Sequence, residues 1–551
     1  LNNNEPAVQN NRGSIMAKRY DYIIVGAGSA GCVLAARLSE DPDVKVLLLE
    51  AGAASSIFVH MPAGIRVLYN SSKYNWRFWT EPQSNLDNRK IYIPRGRVIG
   101  GSSSINSMIA MRGSPRDYDS WAAMDMPQWG FQSLLPYFKK LEDASLVSDR
   151  NDSSRGFSGP IRLSYGPQRE SMKAFIESAG AAGLSENHGF NGKSQIGAGF
   201  YELTIADGKR SGSFRYLDAA RGRPNLTILP NRLVQNIIVE GKRAQGVRVS
   251  HGSQTESIYA DREVLLSAGS IGSPQIMMLS GIGPADLLGS TGIEVLHDLP
   301  EVGANLQDHL DCTIRFEASH PTTLTPYLKL WRGAIAGARY LTFGDGPAAA
   351  HGIEAGAFWG PDRKSGIAEW QAHFILALRN PPPDRHVPHG FAIRVCQLHP
   401  KSRGVVRLRS TDPRDAPLID LRFASESSDL ISLRNGISEM CDIVMKPPFR
   451  DHIKQPIDKE AFGDPKAVDR WLRAYAETVY HPVGTCRMGA DPSSVVDPDM
   501  KVRGIESLRV IDGSVMPSLI GGNTNLPIMA MAEQMADIIR GKTTSTQANK
   551  G

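Results

Sequence analysis

Short, continuous apolar runs alternate with amphipathic stretches along this chain, and the first such alternation is the most informative. From Arg19, RYDYIIVGAGSAGCVLAARLSEDPDVKVLLLEAG reads as an apolar strand, a glycine turn, a helix and a second apolar strand ending at Glu50. That order predicts a βαβ unit with a buried parallel pair. Comparable strand-like runs recur at NLTILPN (225–231), REVLLSAGS (262–270) and SLRVIDGS (507–514), each followed by turn or helix signals. They are far apart in sequence, so a sheet that gathers them belongs to a discontinuous lobe. Between them, and above all over 316–474, alternating patterns such as GVVRLRS and helical patterns such as PKAVDRWLRAYAETV predict a second, α+β lobe. RNPPPDRHVPHG (379–390) reads as a proline-rich surface loop with the makings of a lid.

The glycine turn carries the first chemistry. Gly26, Gly28 and Gly31 have the spacing of a dinucleotide fingerprint: a tight turn, a close approach of backbone to a pyrophosphate, and close packing of helix on strand. The phosphates would meet Ser29 at the helix N-terminus, where free N–H groups and the helix dipole favour negative charge. With 53 glycines in the chain, chance alone places this pattern in about every second sequence of such length, so the flanking strand and helix carry the argument. Glu50 stands 19 residues beyond Gly31, where an acid accepts from ribose hydroxyls, and its charge argues against a 2′-phosphate and hence against NADP.

Composition narrows the class. A chain of 551 residues with 41% hydrophobic residues exceeds one core and implies at least two lobes. A net charge of +5 with no basic run argues against nucleic acid. Five scattered cysteines (Cys32, Cys312, Cys396, Cys441, Cys486) suggest a reducing compartment and neither a disulfide framework nor a metal site. No run of 18 apolar residues is present, so no transmembrane segment is expected. The polar stretch before Met16, which reads as a natural start, and the tail KTTSTQANKG are expected to lie outside the fold.

Five further motifs, in order, are PRGRVIGGSSSINSMIAMRG (94–113), GSIGSPQIMMLSGIG (269–283), LPEVGANLQDHL (299–310), HPVGTCRMG (481–489) and VIDGSVMPSLIGGNTNLPIMAMAEQMADII (510–539). With the glycine turn, they make the chain resemble the glucose-methanol-choline (GMC) family of FAD oxidoreductases from about Tyr20 to Gly541. The likeness is greatest to the bacterial alcohol, choline and L-sorbose dehydrogenase branch. The resemblance implies an α/β, Rossmann-like FAD-binding lobe formed by 19–165, 220–315 and 475–541, a substrate-binding lobe formed by 166–219 and 316–474, and tails at 1–18 and 542–551.

It also implies site residues. Arg97, Gly101, Ser102 and Asn106 would contact the flavin, Val234 the adenine through its backbone, and Asp512 the ribityl and phosphate region, with Asn523 and Thr524 as further cofactor contacts. Some members attach FAD covalently through a histidine at the position of Ile105; isoleucine implies non-covalent FAD. Pro527 suits the first turn of a helix whose positive N-terminus would face the flavin. His481 and Asn523 would form the catalytic pair, the imidazole taking the alcohol proton and the amide holding the same oxygen. Asn525 is the rival for the Asn role, or a helix cap, and Glu354 is a tentative substrate contact. His60, His309 and His373 read as structural.

The implied reaction is oxidation of a small-molecule alcohol, primary before secondary, with electrons passed to a quinone or dye-like acceptor; oxygen remains an alternative. The expected location is the cytoplasm, with peripheral contact at the inner membrane left open. A lyase, a photodecarboxylase-like member and a non-catalytic binding protein are the other classes. Retention of His481 and Asn523 argues against light chemistry.

Overall fold

The computed structural model describes residues 18–363, 366–378 and 387–542. The polar tails, but for Lys18 and Lys542, and most of the proline-rich loop lie outside these residues. Two seven-stranded sheets organise the molecule.

In the first sheet five strands run parallel, in the spatial order Leu226–Leu229, Val46–Leu49, Arg19–Val25, Gln254–Leu266 and Leu508–Val510. The three distant apolar runs singled out in the sequence therefore flank the βαβ unit. Val46–Leu49 is buried at every position, as a strand covered on both faces must be. The long strand Gln254–Leu266 does double duty: its first half pairs antiparallel with Arg243–His251, which in turn pairs with Leu233–Glu240. The helices Ser29–Leu38 and Asn525–Ile539 pack together, and the fully buried Glu533 ties them by accepting from Arg37 at 2.7 Å and Tyr216 at 2.8 Å.

The second sheet is antiparallel throughout, in the order Ile453–Pro456, Leu310–Ala318, Gly390–Gln397, Trp370–Ile375, Ala355–Trp359 and Gly197–Phe200, with Glu477–Thr478 paired to the start of Leu310–Ala318. Its strands alternate cleanly. Phe391, Ile393 and Val395 and their neighbours Ala372 and Phe374 pack in one core with Leu433, Ile437 and Met440 of the helix Ser427–Val444 and with Phe175. Phe374 stacks on Phe391 at 5.6 Å, an arrangement worth about 1 kcal/mol beyond its buried area. The intervening residues His373, Ile375, Ala392 and Arg394 face a large cavity between the sheets.

Two expected boundaries shift. Residue 315 falls inside Leu310–Ala318, whose strand partners all belong to the second sheet, and residues 477 and 478 pair there as well. GVVRLRS contributes Val405–Arg407 to a two-stranded ribbon with Leu418–Asp420 and not to the large sheet, because Val406 N–H is taken by Gly303 O at 2.7 Å.

Candidate active site

The cavity, of about 1250 Å³, runs from the glycine turn to the second sheet. At one end its wall is bare backbone. Gly26 has φ +99°, and a Cβ there would approach Ser267 O to 2.6 Å; a Cβ on Gly101, at φ +52°, would meet Gly28 Cα at 2.7 Å. Gly31 lies behind the wall, where a Cβ would sit 1.9 Å from Gly26 O, so only glycine lets this helix rest on its strand. The N-caps Gly28 and Thr524 supply no side-chain hydrogen bond to the helices Ser29–Leu38 and Asn525–Ile539, and both N-termini border the cavity. Two uncapped helix N-termini over a glycine cradle fit the phosphates and electron-rich ring edge of a flavin dinucleotide.

Glu50 is buried beside this cradle and accepts from the amides of Ala27 at 3.0 Å and Gly52 at 2.8 Å. Burial lifts its pKa to about 7 against those two hydrogen bonds. Each oxygen retains a lone pair for a further donor such as a ribose hydroxyl.

At the other end His481 and Asn523 meet: Nε2 of the ring lies 3.1 Å from the amide Nδ2. Gln371 donates to Asn523 Oδ1 at 3.4 Å, which turns the NH₂ group toward His481. The other ring nitrogen, Nδ1, is 3.0 Å from Nδ1 of His309. His309 Nε2 faces two backbone carbonyls, Leu398 O at 2.9 Å and Ile520 O at 3.1 Å, and must carry the proton. In neutral imidazole the opposite nitrogen is then an acceptor. His309 Nδ1 thus accepts from His481 Nδ1–H, which leaves His481 Nε2 unprotonated at the cavity, its lone pair accepting from the Asn523 NH₂.

Both rings are kept neutral. Burial, with a smaller push from His399, lowers the His309 pKa to about 3 against its two carbonyl partners. Burial, reinforced by His309, His373, Arg95 and Arg394, holds His481 well below the ordinary histidine value. Asp308 braces the pair, its Oδ1 accepting from the backbone N–H of His309 and of His481, both at 2.8 Å.

Comparison with known proteins gives this arrangement a family. Family profiles described as GMC oxidoreductase match residues 20–311 and 400–532. The chain is a GMC oxidoreductase. Among its relatives, an oxygen-dependent choline dehydrogenase of Photobacterium profundum is 41% identical over 97% of this chain and 95% of its own. An alcohol dehydrogenase [acceptor] of Pseudomonas putida is 40% identical over 94% of this chain and 95% of its own. A solved structure of an Aspergillus oryzae formate oxidase, studied for modification of its FAD, superposes with a TM-score of 0.88 at 28% identity, covering 96% of this chain and 99% of that one.

In this GMC oxidoreductase Gly26, Gly28, Ser29, Glu50, Gly101, Ser102, Ile105, Asn106, Val234, Asp512, Thr524, His481 and Asn523 all line the one cavity. Three expected residues do not. Gly31 acts through packing. Arg97 lays its guanidinium over the Trp76 ring, 4.9 Å from the centroid, and its buried Nε has no partner. Glu354 is fully buried and accepts from Gly352 N–H at 2.8 Å; the cavity wall beside it is formed by its neighbours His351 and Ile353. Its backbone position, just before Ala355–Trp359, turns it to the opposite side from Ile353.

Asp512 is saturated: Gly269 N–H and Ser273 Oγ donate to one oxygen, Ser514 N–H and Oγ to the other. It thus joins the sheet end to the helix Gly269–Leu279. Asn525 accepts from Ser29 Oγ at 2.7 Å and so links the two helix ends. His60 meets Ser55 and stays off the cavity, whereas His373 borders it.

The reading of the sequence assigned nothing to Asp308, Arg95 or Tyr480. Tyr480 holds φ +72°, costly for a non-glycine residue, and Arg95 donates to its carbonyl; together they aim the adjacent His481. The motif NLQDHL was the available signal for Asp308 and His309. Nothing in the sequence marks Tyr480.

Proposed function

We propose that this GMC oxidoreductase binds FAD non-covalently and oxidises a primary alcohol to its aldehyde, with His481 as general base. The observation that carries the reading is the unprotonated Nε2 of His481, paired at 3.1 Å with the Asn523 amide in a cavity continuous with the glycine cradle. FAD, when bound, supplies the acceptor for the hydrogen and electron pair that leave the alcohol carbon.

The chain's own residues do the rest. His481 Nε2 takes the hydroxyl proton as the C–H bond breaks, and the Asn523 NH₂ donates to the same oxygen and fixes its position. Gly26, Gly28 and Ser29 would hold the pyrophosphate, with Gly31 letting their helix rest on its strand; Glu50 would hold the ribose and Val234 the adenine. Gly101, Ser102 and Asn106 would flank the ring, with Arg97, Asp512 and Thr524 supporting this end of the site. Ile105 lines the cavity and has no nucleophile, which favours a dissociable flavin. Acid precipitation should therefore release all the yellow colour as FAD into the supernatant; colour left in the pellet would refute non-covalent binding.

For the substrate we favour a neutral alcohol. Ile353, Ile375, Ala377, Leu378 and Ala392 give the second-lobe wall an apolar part beside the neutral His373 and the cationic Arg394, and the Glu354 carboxylate, a natural partner for an ammonium head, is turned away from it. A quinone-like acceptor fits the name of the Pseudomonas putida relative, and an oxygen-using alternative fits that of the Photobacterium one. The test is anaerobic flavin reduction across aliphatic, aromatic, sugar and choline substrates, followed by reoxidation. Primary aliphatic or aromatic alcohols should bleach the flavin faster than choline, and quinones or dyes should reoxidise it faster than oxygen. A flavin that no alcohol bleaches would overturn the reading.

A further inference from the structure

The helix Leu330–Phe343 is amphipathic in the wrong sense for a water-exposed helix. It buries Ala336 and Tyr340 against Met61 and Ala348 and turns its apolar side outward. Leu330 is 91% exposed, Phe343 73%, Ile335 61%, and Trp331 and Leu341 59% each. At about 100° per residue, Leu330, Leu341, Ala334, Ala338, Trp331 and Ile335 share one arc of about 140° in which no charged side chain falls. Ordinary surfaces expose large apolar residues singly; a contiguous stripe marks an interface. The segment beneath adds Ile57 at 56% and Val67 at 47% exposure.

Charge tells what covers it. From Tyr327 to Asp345 the chain carries Lys329, Arg332 and Arg339 against the single acid Asp345, which pairs with Arg339 at 2.7 Å. Arg332 lies over the Trp331 ring at 4.9 Å from its centroid, an aromatic and a cation side by side at the edge of the apolar arc. An apolar stripe with a tryptophan and flanking cations complements hydrocarbon below anionic headgroups. We propose that this helix docks the protein on the surface of an anionic lipid bilayer, its apolar arc sunk to the acyl boundary and Lys329 and Arg332 at the phosphates.

The placement gives the docking a use. Arg66 donates to Tyr327 O at 2.6 Å and to Leu328 O at 2.8 Å, and Ile65, Arg66 and Leu328 also line the cavity. The cavity therefore reaches the foot of the docking helix. A membrane-dissolved alcohol or quinone-like acceptor would enter without crossing bulk water. That last step rests on the proposed alcohol dehydrogenation; the docking itself does not.

The test is co-sedimentation of the FAD-loaded full chain with phosphatidylcholine vesicles, with and without about one-third phosphatidylglycerol. Binding should be strong only with phosphatidylglycerol and weaken with added salt. Trp331→Glu with Leu330→Glu should lower affinity about tenfold or more, and Arg332→Glu about tenfold, while alcohol oxidation with a water-soluble dye stays at the parent rate. The proposal is overturned if the parent ignores both vesicle types or if these substitutions leave binding unchanged. It is also overturned if the parent forms a concentration-dependent dimer that Trp331→Glu dissolves, since a second copy would then own the face.

Discussion

His481→Ala yields a folded, yellow protein whose anaerobic flavin reduction by alcohol is slowed by about 10² to 10⁴, the usual contribution of a positioned general base. Folding and FAD retention should survive, because the glycine cradle and Glu50 lie on other elements, and the ring's own anchors, His309 and Asn523, keep their other partners. The pH dependence separates a base from a packing residue. Burial and neighbouring charge hold the His481 pKa well below 6.5. Neutral imidazole, the competent form, therefore persists as pH falls through 6.5, and the parent rate should decline only in more acid solution. Alanine removes that decline; Asn523→Ala slows the same step but keeps it. Stopped-flow reduction across pH measures all three, and an alanine variant with the parent rate and profile would make His481 a structural residue.

Legibility in the sequence tracked how local each constraint is. The demand for glycine at Gly31 arises from contacts within one strand, turn and helix, and that at Gly26 from its positive φ and the approach to Ser267, so spacing read with the flanking strand and helix disclosed both. The parallel strands announced themselves because burial on both faces forces uninterrupted apolar runs such as Val46–Leu49. The boundary near 315 was not legible, because the switch of sheets depends on which edge accepts Leu310–Ala318 and leaves its composition unchanged. The facing of Glu354 was not legible for a similar reason. A one-residue step moves a side chain across a wall, and no pattern in HGIEAGAFWG says which residue faces the cavity. The meeting of His481 and Asn523, 42 positions apart, came from resemblance to a family, since neither loop encodes the other's position.

His309 is the instructive case, because a structural reading fits its two backbone carbonyl bonds and is incomplete in its consequence. Those two carbonyl bonds decide where the proton sits on a second ring. His309→Leu should remove the acceptor for His481 Nδ1–H, freeing the tautomer that puts the proton on Nε2 and blocks it as a base. In a hydrolase triad the wrong tautomer with intact geometry costs about 10⁴, so a loss of about 10² or more is expected here. Leucine also orphans the carbonyl of Leu398, which costs about 1–3 kcal/mol, while Ile520 O keeps the Gly522 N–H, so the slow variant alone could be a damaged one. His309→Gln resolves this. Its amide can donate to those carbonyls while its oxygen accepts from His481, so it should reduce flavin about tenfold or more faster than leucine does. Equal rates in the two variants, at equal FAD content and melting temperature, would show that His309 fills space and does not set the tautomer.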